Sequence, residues 1–147
     1  MDITIQELRE QYDAVLITIG ASTDKKLGLP GEDADGRALR STVLKKCWKD
    51  EIIDLTGKEV VVIGGGNVSM DAVRTAKRWV RRSQHLYRRR RNDMTALPGE
   101  IEGAVAEGIE IVTLKAPASL DVGEDHKIRG IYATPQMISA IKDGRAA

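Results

Sequence analysis

The sequence predicts an α/β fold with a central parallel sheet, flanking helices and a small antiparallel hairpin. Val60 to Ile63 are four consecutive β-branched residues, typical of a strand buried on both faces of a parallel sheet. Gly64 to Gly66 follow at once, and helical spacing begins at Asn67. Strand, glycine turn and helix in this order form the first half of a mononucleotide-binding βαβ unit. The predicted fold is therefore Rossmann-like.

The glycine turn is the first candidate binding site. Gly64 allows the sharp turn, and Gly66 lacks the Cβ that would keep a pyrophosphate away from the backbone. The helix from Asn67 presents unpaired N–H groups and the positive end of its dipole to phosphates. Ser69 replaces the third glycine of the usual pattern and is small enough for close packing of helix and strand. The alternative is a purely structural turn.

A second predicted strand, His85 to Tyr87, ends directly at four arginines, Arg88 to Arg91. In a βαβ dinucleotide site, an acidic residue at this strand end binds the 2′-hydroxyl of NAD, whereas arginine accommodates the 2′-phosphate of NADP. No Asp or Glu stands at this strand end. Because a guanidinium forms forked, charge-assisted hydrogen bonds with phosphate, the sequence favours NADPH.

The same arginine-rich region allows a rival hypothesis, a nucleic-acid surface. Arg74, Arg78 and Arg81 follow helical spacing opposite much of the apolar face, as in a solvated surface. Trp79 falls among core positions and Tyr87 within a strand, so neither forms a stacking platform. We therefore expect no nucleic-acid partner.

Composition limits the remaining classes. The chain has 147 residues, a net charge of +1 and 41% hydrophobic residues, which fits one domain with an aliphatic core. No apolar run is long enough to span a bilayer and no signal peptide is evident, so we expect a cytoplasmic protein without membrane contact. Cys47 is the single cysteine, which we interpret as a packing residue. His85 and His126 share no ligand spacing with it, and we predict no metal site.

The N-terminal part predicts a short helix and a strand before the glycine turn. Thr4 to Gln11 is the helix, with Thr4 as N-cap and Glu7 as its capping-box partner. Tyr12 to Gly20 is predicted as an apolar strand. Gly20, at its end, lies either at a ligand-binding strand end or in an ordinary turn. The connection to the central strand is predicted as a loop, 23–36, and an amphipathic helix, 40–53.

The C-terminal part predicts alternating helices and strands. Glu100 to Gly108 is predicted as a helix with Ile101, Ala104 and Val105 inward and Gly108 as its stop. The further predictions are a third strand, 109–114, a polar segment, 117–127, a short hairpin strand, 127–132, and a closing helix, 137–145.

Five motifs occur in the order seen in flavin-dependent pyridine-nucleotide oxidoreductases. They are YDAVLITIGAS, LGLPGEDADG, GKEVVVIGGGNVSMDAVRTAKR, LYRRRRNDM and EGIEIVTLKAP, between Tyr12 and Pro117. The chain resembles most the small (β) subunit of glutamate synthase, and more distantly adrenodoxin reductase and dihydropyrimidine dehydrogenase. In that family this region is an NADPH-binding domain inserted into an FAD domain.

The resemblance implies roles for individual residues. It implies that the pyrophosphate and the nicotinamide side are approached by Gly64, Gly65, Gly66, Asn67 and Val68. It implies that Arg88 and Arg89 bind the 2′-phosphate and that Glu100 contacts the cofactor. It also places Thr18 and Gly20 where the chain crosses between the two domains.

The resemblance also implies an incomplete enzyme. The family's FAD-binding glycine motif is missing before Met1, so residues 1–147 are expected to be a single NAD(P)-binding domain with 1–36 and 133–147 as junctions to an absent FAD domain. We expect NADPH as cofactor and no bound FAD. The partners expected are the FAD domain or a flavoprotein, and a large subunit or ferredoxin-like protein. The alternative is a non-catalytic docking module of the same fold.

Overall fold

The computed structural model describes residues 3–18, 25–36, 54–80 and 82–138, and the backbone of 141–142 and 145–146. Within them the helices are α1 (Ile5–Gln11), α2 (Asn67–Lys77), a 3₁₀ turn (Arg91–Asp93) and α3 (Pro98–Ala106). The strands are β1 (Glu59–Ile63), β2 (Arg82–Leu86), β3 (Glu110–Val112), β4 (Lys115–Val122), β5 (Ile128–Pro135), β6 (Ile141–Lys142) and β7 (Arg145–Ala146).

A parallel sheet in the order β1-β2-β3 forms the centre of the fold. In the register, Val62 lies beside His85, which lies beside Ile111. Residues in register point to the same face of a sheet, so these three side chains share one face. The parallel sheet with flanking helices and the antiparallel pair β4–β5 confirm the predicted fold class.

The core lies between that face of the sheet and the helices α2 and α3. Met70 and Val73 from α2 and Ala104 from α3 are fully buried, and Val62 and Ile111 pack against the cluster. The spacing of three between Met70 and Val73 places both on one side of α2, as helical periodicity requires. Burial of such side chains contributes about 1.5–3 kcal/mol each.

The opposite face of the sheet is covered less completely. Val61, on that face of β1, is 38% exposed. The prediction that β1 is buried on both faces is therefore wrong for the described residues. Its four apolar residues reflect β-propensity as much as burial, since β-branched side chains suit a pleated surface.

The hairpin β4–β5 packs against the loop that contains Pro30. The amide of Leu120 donates to the Pro30 carbonyl (2.9 Å), and a Cβ on Gly31 would come within 2.8 Å of Val122. Within the loop, the buried carboxylate of Glu32 accepts hydrogen bonds from the amides of Leu27, Gly28 and Leu29. The loop 25–36 is thereby fixed to the hairpin.

Helix α1 confirms the capping prediction. The Thr4 hydroxyl accepts from the amide of Glu7 (3.2 Å), and the Glu7 carboxylate accepts from the amide of Thr4 (2.7 Å). The hydrogen bonds that the Glu7 carboxylate accepts from the Thr4 amide and the Thr4 hydroxyl lower the pKa of Glu7. The helix buries none of its own residues.

Several sequence predictions differ from the structure. The described part of the predicted strand at 12–20 forms no strand, because an apolar run becomes a strand only with a hydrogen-bonding neighbour. The predicted closing helix, 137–145, is wrong: 137–138 are irregular and β6 and β7 form a short antiparallel pair.

Smaller differences concern α3 and the hairpin. Helix α3 begins at Pro98, two residues earlier than predicted, because proline suits the first helical position. Val105 is 44% exposed and not inward, whereas Ile101 and Ala104 are buried as predicted. Gly108 has φ +76°, which confirms it as the stop. The segment 117–127 contributes most of β4 and is not only a polar connection.

The predicted helix at 40–53, with Cys47, and Gly20 at the end of the first predicted strand lie outside the described residues.

Candidate functional site

A crevice of about 420 Å³ opens where β1 and β2 end. This volume falls in the usual range for small-molecule and cofactor sites. The ends of β1 and β2, the glycine turn, the start of the arginine run and three more distant segments line it: Leu27, Ile63, Gly64, Gly65, Leu86, Tyr87, Arg88, Arg89, Thr95 and Pro117. The carboxyl ends of parallel strands are where open α/β sheets bind ligands.

The glycine turn has the geometry that its sequence predicts. Gly64 has φ +149°, a conformation that disfavours other residues, and a Cβ there would meet the Cβ of Ser69 at 3.2 Å. The buried Ser69 hydroxyl donates to the Gly66 carbonyl (2.6 Å). The small side chain at position 69 therefore allows close packing of helix and strand and also secures the turn.

The N-terminus of α2 is open toward the turn. Gly66 is its N-cap and supplies no side-chain cap. The amides of Ser69 and Met70 both donate to the Gly66 carbonyl, which leaves the amides of Asn67 and Val68 without a partner among the described residues. Free amides at a helix N-terminus are an anion-binding arrangement.

Gly65 connects the turn to the segment after β2. Its carbonyl accepts from the amides of Thr95 (2.8 Å) and Ala96 (2.9 Å) and from the Thr95 hydroxyl (3.2 Å). A Cβ on Gly65 would clash with the Tyr87 ring. Glycine is required here by close approach, since the aromatic ring occupies the space of a side chain.

Asn67 makes a further connection to this segment. Its Oδ1 accepts a hydrogen bond from the amide of Leu97 (2.8 Å). The side-chain oxygen of Asn67 therefore holds the start of α3 next to the turn, whereas the Asn67 backbone amide stays available to a ligand.

The arginine run divides into paired and unpaired members. Arg88 and Arg89 line the crevice and form no ion pair with a described carboxylate. Arg90 is bound to Asp93, with its Nε 2.9 Å from Oδ2 and its Nη2 3.0 Å from Oδ1. The hydrogen bond from Arg90 lowers the pKa of Asp93. No acidic residue lines the described crevice.

Glu100, predicted to contact a cofactor, lies in an ion-pair network between α2 and α3. Arg74 donates from Nη1 to Glu100 Oε2 (2.8 Å) and from Nε to Glu107 Oε1 (2.9 Å). The pKa of Glu107 is lowered by the hydrogen bond from Arg74. Arg74 is therefore a bridge between the two helices, not the solvated arginine that its spacing suggested.

The predicted site residues omit six residues that line the crevice: Leu27, Ile63, Leu86, Tyr87, Thr95 and Pro117. Tyr87 was assigned to the strand, but it follows β2, and its hydroxyl donates to the Asp93 carbonyl (2.8 Å). Thr95 and Leu27 lie in segments without periodicity, where only the tertiary contacts bring them to the turn. The position of Tyr87 next to the arginines was the one available signal.

Metal-binding clusters and membrane-spanning helices are both absent from the described part of the chain. No group of three or more His, Cys, Asp or Glu side chains there could bind a metal ion. None of the described helices is both long enough and apolar enough to span a membrane.

The fold and the crevice are those of a nucleotide-binding α/β domain. The sequence profile of the pyridine nucleotide-disulphide oxidoreductase family matches residues 3–135. The chain belongs to this family.

Relatives of known name support the resemblance to glutamate synthase small chains. The chain is 31% identical over 143 residues to the glutamate synthase [NADPH] small chain of Escherichia coli, covering 88% of this chain and 30% of that protein. It is 39% identical over 134 residues to the NADP(+)-dependent formate dehydrogenase subunit beta of Moorella thermoacetica, covering 89% and 19%. The chain thus spans less than a third of either relative.

A solved structure has the same fold. Mycobacterium tuberculosis FprA in complex with NADPH superimposes with a TM-score of 0.73 at 19% identity, over 99% of this chain and 48% of that one. At this identity the similarity concerns the fold, which agrees with the Rossmann-like prediction.

Proposed function

We propose that this chain is the NADPH-binding domain of a flavoprotein oxidoreductase of the glutamate synthase small-subunit type, which orients NADPH for hydride transfer to FAD. One observation carries the proposal. The glycine turn after β1, through Gly64 and Gly65, and the unpaired Arg88 and Arg89 after β2 line one crevice that no described carboxylate lines. The free amides at the start of α2 follow directly after this turn.

The crevice fits a phosphorylated dinucleotide. The open backbone around Gly66 provides a cradle, because a Cβ there would meet one atom, Thr95 Oγ1, at 3.6 Å and otherwise extend into free space. The amides of Asn67 and Val68 and the α2 dipole favour a pyrophosphate at this point. Arg88 and Arg89 provide cations for a third phosphate at the neighbouring strand end.

This assignment gives each predicted residue a distinct role. The backbone from Gly64 to Val68 binds the pyrophosphate, and Arg88 and Arg89 select the 2′-phosphate. Ser69 supports the turn from behind, through its bond to Gly66. Glu100, at the start of α3 and outside the crevice lining, is assigned the cofactor contact that the resemblance implies, with Arg74 bound to its carboxylate.

The residues of this chain bind and orient, and the cofactors carry the redox chemistry. When bound, NADPH supplies a hydride from nicotinamide C4 and the flavin accepts it at N5. No acid or base from the chain is needed for this step. We expect the domain alone to be catalytically inactive, because without a flavin there is no acceptor for the hydride. Rate enhancement comes from holding the two reacting atoms in the right geometry.

The FAD domain is proposed to adjoin residues 1–36 and 133–147. Leu16 and Met137, one in each of these segments, are 88% and 93% exposed. Such side chains favour contact with a further protein surface. The relatives' names include a small chain and beta subunits, which supports an assembly with further subunits. A large subunit or a ferredoxin-like acceptor is the partner that we propose.

Cofactor titration of the full chain tests the proposal. Intrinsic tryptophan fluorescence should respond to NADPH more strongly than to NADH at equal concentration. Replacing Arg88 and Arg89 together by alanine should weaken NADPH binding by about 2 kcal/mol, roughly 30-fold, because a charge-assisted contact is lost. Affinity for NADH should hardly change.

Arg129→Ala is a matched control, because it removes an arginine that is paired with Asp125 on the hairpin, away from the crevice. Its NADPH affinity should match that of the unchanged chain. No response to millimolar NADPH, or an equal response to NADH, would contradict the proposal and favour a docking module that has the fold without the cofactor.

A further inference from the structure

The four consecutive arginines differ in their pairing. Both oxygens of the Asp93 carboxylate bind Arg90: Oδ2 accepts from its Nε and its backbone amide (2.9 and 3.1 Å), and Oδ1 from its Nη2 (3.0 Å). Among the described residues, Arg88, Arg89 and Arg91 form no ion pair. Arg90 is also absent from the crevice lining. Asp93 therefore removes one arginine from the group that can reach a ligand there.

The turn that contains Asp93 is hydrogen-bonded to Tyr87, which lines the crevice. The Tyr87 hydroxyl donates to the Asp93 carbonyl at 2.8 Å, while the Tyr87 ring fills the space beside Gly65. Two residues after Asp93, the amide of Thr95 donates to the Gly65 carbonyl. The arginine segment is thus fixed at both ends to the strand β2 and to the glycine turn.

Stability alone does not explain the Asp93–Arg90 pair. The Arg90 side chain is 49% exposed, and ion pairs with an exposed member contribute little to folding. The Asp93 side chain, by contrast, is 16% exposed and binds the backbone of Arg90 as well as its guanidinium. Its contacts determine the path of the chain directly after Arg88 and Arg89.

We propose that Asp93 is a positioning residue for phosphate selection: by binding the guanidinium and the backbone of Arg90, it fixes the segment that presents Arg88 and Arg89. The proposal rests on the proposed function, the binding of NADPH in this crevice. Asp93 does not touch the cofactor. By restricting the segment in advance, Asp93 reduces the loss of conformational entropy when Arg88 and Arg89 bind the 2′-phosphate.

The direction in which Asp93→Asn changes the affinity for NADPH distinguishes a positioning role from a purely electrostatic one. Asp93→Asn removes a negative charge near the phosphate site, so an electrostatic effect alone would tighten NADPH binding. If Asp93 positions the arginines, NADPH binding should weaken by about five- to tenfold, with NADH affinity within about twofold. The ratio of the two affinities, measured by isothermal titration with the full chain, is the readout.

Asp125→Asn is the matched control. It removes the same charge from an aspartate that is paired with Lys127 and Arg129 on the hairpin, so the affinity ratio should stay unchanged. The proposal would be overturned if the Asp93→Asn variant bound NADPH at least as tightly as the unchanged chain does. An equal loss of affinity for NADPH and for NADH would overturn it too.

A double-mutant cycle identifies the role of Arg90. If Arg90 acts through Asp93, Arg90→Ala should lower the NADPH to NADH affinity ratio as Asp93→Asn does, and the double variant should show no further loss. Additive losses would mean that Arg90 contacts the phosphate itself and would overturn the proposal. If the unchanged chain does not prefer NADPH, or Arg88→Ala has no effect, the proposed function fails first, and that result is distinguishable from failure of the Asp93 role.

Discussion

Two apolar runs of this chain have similar sequences and different structures. Val60 to Ile63 pair residue by residue with β2 and lie next to the core helix α2. Val15 to Ile17 form no strand, and Leu16 is 88% exposed and Ile17 60% exposed. Both runs have the β-propensity of a strand.

The comparison shows that propensity becomes structure only where the backbone finds partners. In β1 the ladder to β2 satisfies the amides and carbonyls, and the side chains of one face pack under Met70 and Val73. The run at 15–17 has no such ladder among the described residues. We propose that its partner is the flavin domain expected at the junction.

The largest expected difference between the two regions is in stability. Met70→Ala removes a fully buried side chain of the helix that covers β1, and should lower the free energy of unfolding by about 2–5 kcal/mol. Leu16→Ala should change it by no more than about 0.5 kcal/mol. Urea denaturation followed by circular dichroism measures both. Similar losses from the two variants would show that 15–17 is packed in the isolated chain.

A smaller effect is expected from the turn at the end of β1. Gly65→Ala places a Cβ against the Tyr87 ring and should cost about 1–3 kcal/mol by overpacking, because the Tyr87 hydroxyl is bound to Asp93. Gly99→Ala is the control: a Cβ there has no neighbour within 4 Å, and alanine should stabilise α3 by about 0.5 kcal/mol. Thermal melting distinguishes the two. An unchanged melting temperature for Gly65→Ala would mean that the Tyr87 ring can move away from the added Cβ.

The smallest effect concerns the pH dependence contributed by β2, the neighbour of β1. His85 is fully buried, and neither ring nitrogen has a hydrogen-bond partner among the described residues. Burial lowers the pKa of His85. At pH values above the ordinary histidine pKa, about 6.5, the ring is neutral in both the folded and the unfolded state. Below this pH the unfolded chain takes up a proton that the folded chain excludes. The free energy of unfolding therefore decreases as the pH is lowered, by at most about 1.4 kcal/mol per pH unit.

Urea titrations between pH 5 and 7.5, a range set by the ordinary histidine pKa, test this expectation. His85→Leu should flatten the pH dependence relative to the unchanged chain. His126→Asn, at an exposed position with φ +59°, is the control, since asparagine tolerates that backbone and the pH dependence should remain. If both variants titrate alike, His85 is not the group responsible.

The sequence predictions were correct for features that depend on residues close together in the chain, and wrong for features that depend on contacts between distant residues. The capping of α1 by Thr4 and Glu7 and the helix stop at Gly108 depend on neighbours along the chain, and both are confirmed. The exposure of Val105 and the bridging role of Arg74 depend on where α2 and α3 meet, which periodicity alone does not specify.

The site shows the same division. The glycine turn and the arginines after β2 were predictable because strand, turn and helix follow each other directly in the chain. The contacts of Gly65 with Tyr87 and Thr95 join residues more than twenty positions apart, and no local pattern indicates them.

The sequence by itself determined the class of fold, the position of the glycine turn and the cationic strand end, because all three are encoded by residues adjacent in the chain. Only the tertiary structure decided which arginines face the crevice, since the pairing of Arg90 with Asp93 and the anchoring of Tyr87 depend on how the segment after β2 folds back onto the turn. It also decided which apolar run became a strand, because a strand requires hydrogen-bond partners that only another part of the fold can provide.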